Sequence, residues 1–215
     1  MTSTRRSLFY QWLYLTLHYE DSVLTRGFRL PDYASSMGML AYSSFTVATP
    51  ACLMLISQEF GLSFSAGGLL EVTRSLLILT VLLLSGFLAA HLGKPVALSL
   101  GASMMGIGLL LYAIAPHYSG ILTAMGLAGF GGGICEGLIN PYVHETHPEG
   151  SGRYLNIVNG FWSVGVLFTS IVVGQLLVMG VSWRWIMGGL GAFSIVVGVI
   201  FGLCALMGDR HVRRE

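Results

Sequence analysis

The chain has 215 residues, 54% of them hydrophobic and only 10% charged, with a formal net charge of +1 and a mean hydropathy of +0.74. Soluble domains carry roughly 25% charged residues, so this composition excludes an ordinary globular protein and points to a chain that crosses a membrane several times. A near-neutral charge, with no basic patch interleaved with aromatics, excludes a nucleic-acid partner.

Residues 1–34 do not form a span. The stretch "TRRSLFY" superficially resembles a twin-arginine export signal, but its apolar part is short, no small-residue cleavage site follows, and "HYEDS" interrupts it. The expectation is a cytoplasmic leader, either disordered or lying in the membrane interface through the aromatics of "SLFYQWLYLTLHY". Six apolar runs follow, at about 35–57, 68–90, 95–115, 119–142, 154–178 and 184–207. Each is close to the ~20 residues that carry a helix across ~30 Å of hydrocarbon. Only helices and closed barrels satisfy the backbone in lipid, and the ten-residue alternation of a barrel is absent. The expected fold is all-α: a polytopic six-helix transmembrane bundle over 35–207, with residues 208–215 beginning a cytoplasmic loop.

Polar residues inside these runs are costly in hydrocarbon and mark cavities or helix partners. Run 1 carries Tyr42, Ser43, Ser44, Thr46 and Thr49 and no carboxylate. Run 2 carries Glu71, Thr73 and Arg74 near its outer end. Glu71 and Arg74 are spaced to pair on one helix face, as an interfacial salt bridge or as an outer gate. Runs 3 and 6 are almost wholly apolar, small or Met. Run 4 carries Glu136, Asn140 and Pro141, and run 5 carries Asn156, Asn159, Trp162 and Ser163. This distribution predicts a cavity lined by runs 1, 2, 4 and 5, with 3 and 6 facing lipid.

Depth refines the expectation. With run 4 ending near residue 142, Glu136 lies ~9 Å from the inner end at 1.5 Å per residue. Asn159 and Trp162 lie about 8–12 Å in from the start of run 5 by the same arithmetic. Carboxylate, amide and indole are thus expected in one layer. Glu136 reads as a protonatable group that also accepts hydrogen bonds from a polar substrate, against the plainer role of bonding a neighbouring helix. Asn140-Pro141 either opens the helix beside the cavity or ends it. Trp162 is a flat platform for a ring or an element of helix packing. The pairs Gly129 with Gly133 and Gly198 with Gly202 are expected to be close-packing faces.

Cys52, Cys135 and Cys204 fall inside runs with no partner-like spacing, so neither a disulfide nor a zinc site is expected. His144, Glu145 and His147 sit in a connection where histidines are expected to be solvated, and no metal or other cofactor is expected. Placing both termini in the cytoplasm puts Arg5, Arg6, Arg26, Arg29, Lys94, Arg153, Arg210, Arg213 and Arg214 inside, against Arg184 alone outside. That asymmetry is a positive-inside signal for the plasma membrane.

Three short signatures resemble the major facilitator superfamily of secondary transporters. "GFLAAHLGKP" is similar to its inner-loop motif through Gly86, Leu88, Gly93 and Lys94, with Ala90 and His91 at the motif's acidic and first basic positions. "GFGGG" resembles its fourth-helix glycine run, and "WRW" at 183–185 the opening of its sixth helix. More narrowly, "CEGLINPYVHETHPEGSGRYLNIVNGFWSVG" is similar to the fucose permease-like proton-coupled sugar symporters. The matching residues are Glu136, Asn140, Pro141, Tyr142, Arg153, Asn156, Phe161, Ser163 and Gly165. The resemblance implies the N-terminal half of a twelve-helix transporter in a bacterial inner membrane. It further implies a sugar as the small-molecule substrate, proton coupling at Glu136, and a C-terminal six-helix half or a second copy as partner.

Two other classes stand beside this reading. A non-transporting remnant or assembly subunit would share the six helices, since six alone do not complete two-half alternating access. An intramembrane serine protease would need a nucleophile in a G-x-S-G setting and a facing histidine. "GASM" at 101–104 lacks the last glycine, and no later run holds a deep histidine.

Overall fold

A computed structural model of the chain describes residues 27–212, with side chains as far as Met207. The expected leader therefore falls mostly outside the described residues. Six helices run in order: α1 Leu30–Glu59, α2 Phe64–Leu92, α3 Lys94–Ile114, α4 Tyr118–Thr146, α5 Ser151–Val178 and α6 Trp183–Val212. All are long and apolar enough to cross a membrane, and no strand occurs among the described residues. Even α3, with 21 residues, extends ~32 Å.

Three bounds differ from the sequence expectation for identifiable reasons. α1 starts at Leu30 because Pro31 suits a first helical turn and Asp32 Oδ2 accepts the Arg29 N–H at 2.8 Å. Its first turn thus brings a carboxylate into a helix expected to have none. α4 neither ends nor opens at Pro141 but continues to Thr146. α6 continues to Val212, so part of the expected loop is helical backbone. The turns are short. Gly93, at φ +80°, is the single residue between α2 and α3, a left-handed conformation that a side chain would strain.

The contacts follow a pattern: α3 packs on α6, α2 on α4 and α1 on α5, with further seams between α3 and α4 and between α1 and α6. Exchanging helices 1–3 with helices 4–6 maps α1·α5 onto α4·α2, and α3·α6 onto itself. This is the arrangement of two structural repeats of three helices.

α4 is the hub, and its glycines explain how. A Cβ on Gly129 would lie 3.0 Å from the Arg74 carbonyl, and one on Gly133 would lie 2.7 Å from the Ile78 carbonyl, both on α2. Gly131 instead meets the α3 backbone at Gly101 and Met105, and Gly132 meets Phe45 and Tyr42 of α1. Each glycine of the run faces a particular neighbour. In lipid, where apolar burial drives little association, such backbone contact supplies the van der Waals attraction.

The faces left open differ in character. α3 exposes Leu100, Ile107, Leu111 and Ile114, and α6 exposes Trp185, Val196, Val199, Leu203 and Leu206, uniformly apolar stripes suited to lipid. α2 and α5 are the least buried helices. α5 buries one stripe, Tyr154, Val158, Gly165, Thr169 and Val173, and exposes Asn156, Asn159 and Trp162 elsewhere.

Candidate polar site on the open face

Glu136 projects from α4 half-buried, and its carboxylate neighbours the hydroxyl of the buried Tyr42 on α1. One turn further along α4, Asn159 Nδ2 of α5 donates to Asn140 Oδ1 of α4 at 3.0 Å, and also to the Leu155 carbonyl at 2.8 Å. Because α4 ends at Thr146, Glu136 lies ten residues from its C-terminal end, ~15 Å rather than ~9 Å. Trp162, 41% exposed, stands eleven residues into α5 and so occupies nearly the same layer. The carboxylate and the indole share one level, and the two amides bridge α4 to α5 a turn below.

Not every polar residue of α1 faces this surface. Ser44 Oγ accepts from Thr169 Oγ1 at 2.8 Å in a buried α1–α5 contact, and Ser43 lies against Gly165. These hydroxyls join helices rather than line a cavity.

Proline shapes the remaining polar centre. Pro50 has no N–H, so the Thr46 carbonyl one turn earlier loses its helical donor. Arg74 of α2 replaces it, with Nη1 3.4 Å from that oxygen. Nη2 pairs with Glu71 Oε2 at 2.5 Å, and the guanidinium stands 5.4 Å from the Phe45 ring centre. The pair was expected at the interface, yet Arg74 is only 9% exposed. Three buried polar atoms here have no partner: Glu71 Oε1, Arg74 Nε and the Tyr112 hydroxyl. Pro141 similarly frees the Gly137 carbonyl of α4.

Both ends carry clamps. Where the end of α1 meets the start of α6, Trp183 Nε1 donates to Glu59 at 2.6 Å. Arg184 there bonds Glu59 at 2.7 Å and the α3-terminal carbonyls of Ala113 and Ala115 at 2.8 and 3.0 Å. At the opposite end, Lys94 pairs with Glu145 at 2.6 Å, Gly86 is open, and Arg153 lies exposed at the start of α5. His144 is exposed and bonds Ser151 Oγ at 3.0 Å. His147 is buried, contrary to its expected solvation. It bonds Asp32 at 2.7 Å and stacks on Tyr154 with ring centres 3.6 Å apart. Asp32 had no signal in the sequence, because it stood outside the expected span. Ser103 of "GASM" packs against Gly198 at the α3–α6 seam, away from any facing histidine.

A cleft of about 800 Å³ lies between the C-terminal end of α1 and the start of α2 and is lined by Pro50, Leu53, Met54, Ser57, Leu62 and Phe64 among others. It is apolar and contains none of the candidate residues. Glu136, Asn140, Asn159 and Trp162 group instead on the open face formed by α4, α5 and Tyr42.

Comparison with known proteins agrees with this architecture. The family described as Major Facilitator Superfamily matches residues 34–215. Monosaccharide-sensing protein 2 of Arabidopsis thaliana is 30% identical over 168 residues, covering 76% of this chain and 23% of that protein. Monosaccharide-sensing protein 1 of the same plant is 28% identical over 174 residues, covering 80% and 24%. Synaptic vesicle 2-related protein of Bos taurus is 30% identical over 78 residues, covering 36% and 14%. The chain thus spans about a quarter or less of the length of these relatives.

Proposed function

The chain belongs to the Major Facilitator Superfamily, and we propose that it is a secondary transporter, or the N-terminal half of one. In this reading it moves a sugar or similar small polar solute by alternating access, coupled to protons through Glu136. It works as a transporter and not as an enzyme, in a bacterial inner membrane with both termini cytoplasmic. Its partner is a C-terminal six-helix half or a second copy.

The observation that carries this reading is the grouping of Glu136 and Trp162 in one layer of the bundle, with the Asn140–Asn159 bridge one turn away. A carboxylate and amides offer acceptors and donors to hydroxyl groups, and an indole offers a flat apolar face to a ring. An intramembrane carboxylate persists against its cost where it carries protons or substrate. The similarity of residues 135–165 to fucose permease-like symporters supports a sugar as the solute, as do relatives named for monosaccharide sensing. Positive charge concentrated on one side supports the orientation. The residues that precede α1 act here as a cytoplasmic leader.

A second reading is a remnant or assembly subunit that does not transport. Binding separates the two. Titrating a panel of monosaccharides against the purified protein while following tryptophan fluorescence should give a saturable change with one sugar. Trp162→Phe should remove the signal, and Asn159→Ala should weaken affinity about tenfold, the loss of roughly one hydrogen bond. No saturable change with any sugar would overturn the sugar reading.

A further inference from the structure

We propose that Asn140 and Asn159 form a fixed donor–acceptor edge that selects an uncharged solute through two neighbouring hydroxyl groups. The inference rests on the solute site proposed above and names the chemical class which that site takes.

The orientation of both amides follows from their partners. Asn159 places one side-chain atom 2.8 Å from the Leu155 carbonyl oxygen. A carbonyl oxygen only accepts, so that atom is the amino nitrogen, Nδ2. The same Nδ2 lies 3.0 Å from Asn140, whose contacting atom accepts in turn and is therefore Oδ1. Both hydrogens of Asn159 Nδ2 are thus committed within the protein. This leaves Asn159 Oδ1 to accept and Asn140 Nδ2 to donate, on adjoining amides. Asn159 is exposed and Asn140 half-buried, so this edge borders the open face.

Its surroundings are set by helix spacing. Glu136 stands four residues before Asn140 on α4, and Trp162 three residues after Asn159 on α5, so each shares a helix face with its amide. Two neighbouring hydroxyls match the edge, one donating to Asn159 Oδ1 and the other accepting from Asn140 Nδ2. A solute lacking either hydroxyl leaves one amide atom unpaired, which is how sites built for a hydroxyl discriminate.

The cations that would favour an anion stand elsewhere. Among the described side chains, Arg29, Lys94 and Arg184 lie at helix ends. Arg153 lies in the first turn of α5, ~9 Å along the axis from Asn159. Arg74, on α2, is 9% exposed and engaged with Glu71 and the Thr46 carbonyl. A carboxylate-bearing solute would therefore enter a layer that offers it an amide oxygen and the carboxyl group of Glu136, with no cation based there.

Two measurements on the purified full chain test this, and the first needs no solute. Asn140→Asp keeps an acceptor for Asn159 Nδ2, whereas Asn159→Asp loses both donated bonds and sets an oxygen against the Leu155 carbonyl. The new carboxyl group sits in nearly the same place in both, so its cost cancels between them. Asn159→Asp should melt about 4 °C or more below Asn140→Asp, for two hydrogen bonds lost. The second measurement is calorimetric titration with neutral monosaccharides, mannitol and myo-inositol, then with the monodeoxy and carboxylate analogues of whichever solute binds. Removing either of two neighbouring hydroxyls should weaken binding about tenfold. Asn140→Asp should cost the parent solute a similar factor and cost nothing further for the analogue lacking the accepting hydroxyl. The carboxylate analogue should bind at least about tenfold more weakly than its parent. Equal melting of the two variants, or a carboxylate analogue that binds as tightly as its parent, overturns the proposal. Binding of a polyol without any sugar upholds the edge and sinks the sugar reading alone, while binding of no neutral hydroxylated solute overturns both.

Discussion

Gly133→Ala tests the close packing that holds α4 as the hub. A Cβ there would sit 2.7 Å from the Ile78 carbonyl oxygen and 2.9 Å from Val81 Cβ. Comfortable contact needs ~3.5 Å or more, so α2 must retreat by roughly 1 Å along that seam. A gap of that size forfeits a quarter to a half of the dispersion attraction between the displaced atoms, and overpacking of this kind costs about 1–3 kcal/mol. Alanine also gains up to about 1 kcal/mol over glycine in helix propensity, which obscures the loss in a single variant. The control is Gly174→Ala, in α5, where nothing lies within 4 Å of the new methyl. Propensity cancels between the two variants and leaves the packing cost. Thermal unfolding of the purified proteins in detergent should place Gly133→Ala below Gly174→Ala by the equivalent of about 1–3 kcal/mol. Equal stabilities would refute the claim that backbone contact holds α2 against α4.

Two further predictions concern the ends of the bundle. Asp32→Ala leaves the buried His147 Nε2 without its hydrogen-bond partner and should cost about 1–3 kcal/mol in denaturant unfolding, whereas Lys94→Ala, whose partner Glu145 is largely exposed, should cost less than about 1 kcal/mol. Similar losses for the two would contradict the burial assigned to the Asp32–His147 pair. Arg184→Ala leaves the Ala113 and Ala115 carbonyls without their donor, so amide hydrogen exchange should speed up at the C-terminal end of α3 while the helix centre stays protected.

The helices were legible because hydropathy reports the solvent of each segment directly, and six long apolar runs leave few alternatives. Their ends were harder to read. Asp32 looked like part of a polar leader, since a carboxylate that caps a first turn and meets a histidine 115 residues away leaves no local signal. Pro141 looked like a terminus because proline removes one helical bond, but packing on both sides of it keeps α4 continuous. In the candidate site, depth arithmetic put Glu136, Asn159 and Trp162 in one layer; in the structure Asn159 bonds Asn140 a turn away from Glu136, a partner that the arithmetic did not name. The Glu71–Arg74 spacing was readable as a pair, but its burial was not. That burial depends on Pro50 freeing a carbonyl on α1 and on Gly129 admitting the Arg74 backbone, two tertiary facts. Ser43 and Ser44 show the opposite error, for polarity in a span marks helix partners as readily as cavities.

The most direct test of the account is sugar uptake into proteoliposomes, with the chain alone and with a complementary C-terminal half, each with and without Glu136→Gln. The account predicts saturable uptake of one sugar that an imposed proton gradient drives and a protonophore abolishes. Glu136→Gln should lose uphill accumulation. Uptake that ignores both the protonophore and the substitution would contradict proton coupling at Glu136, and no uptake of any sugar by folded protein in either arrangement would contradict the transporter reading itself.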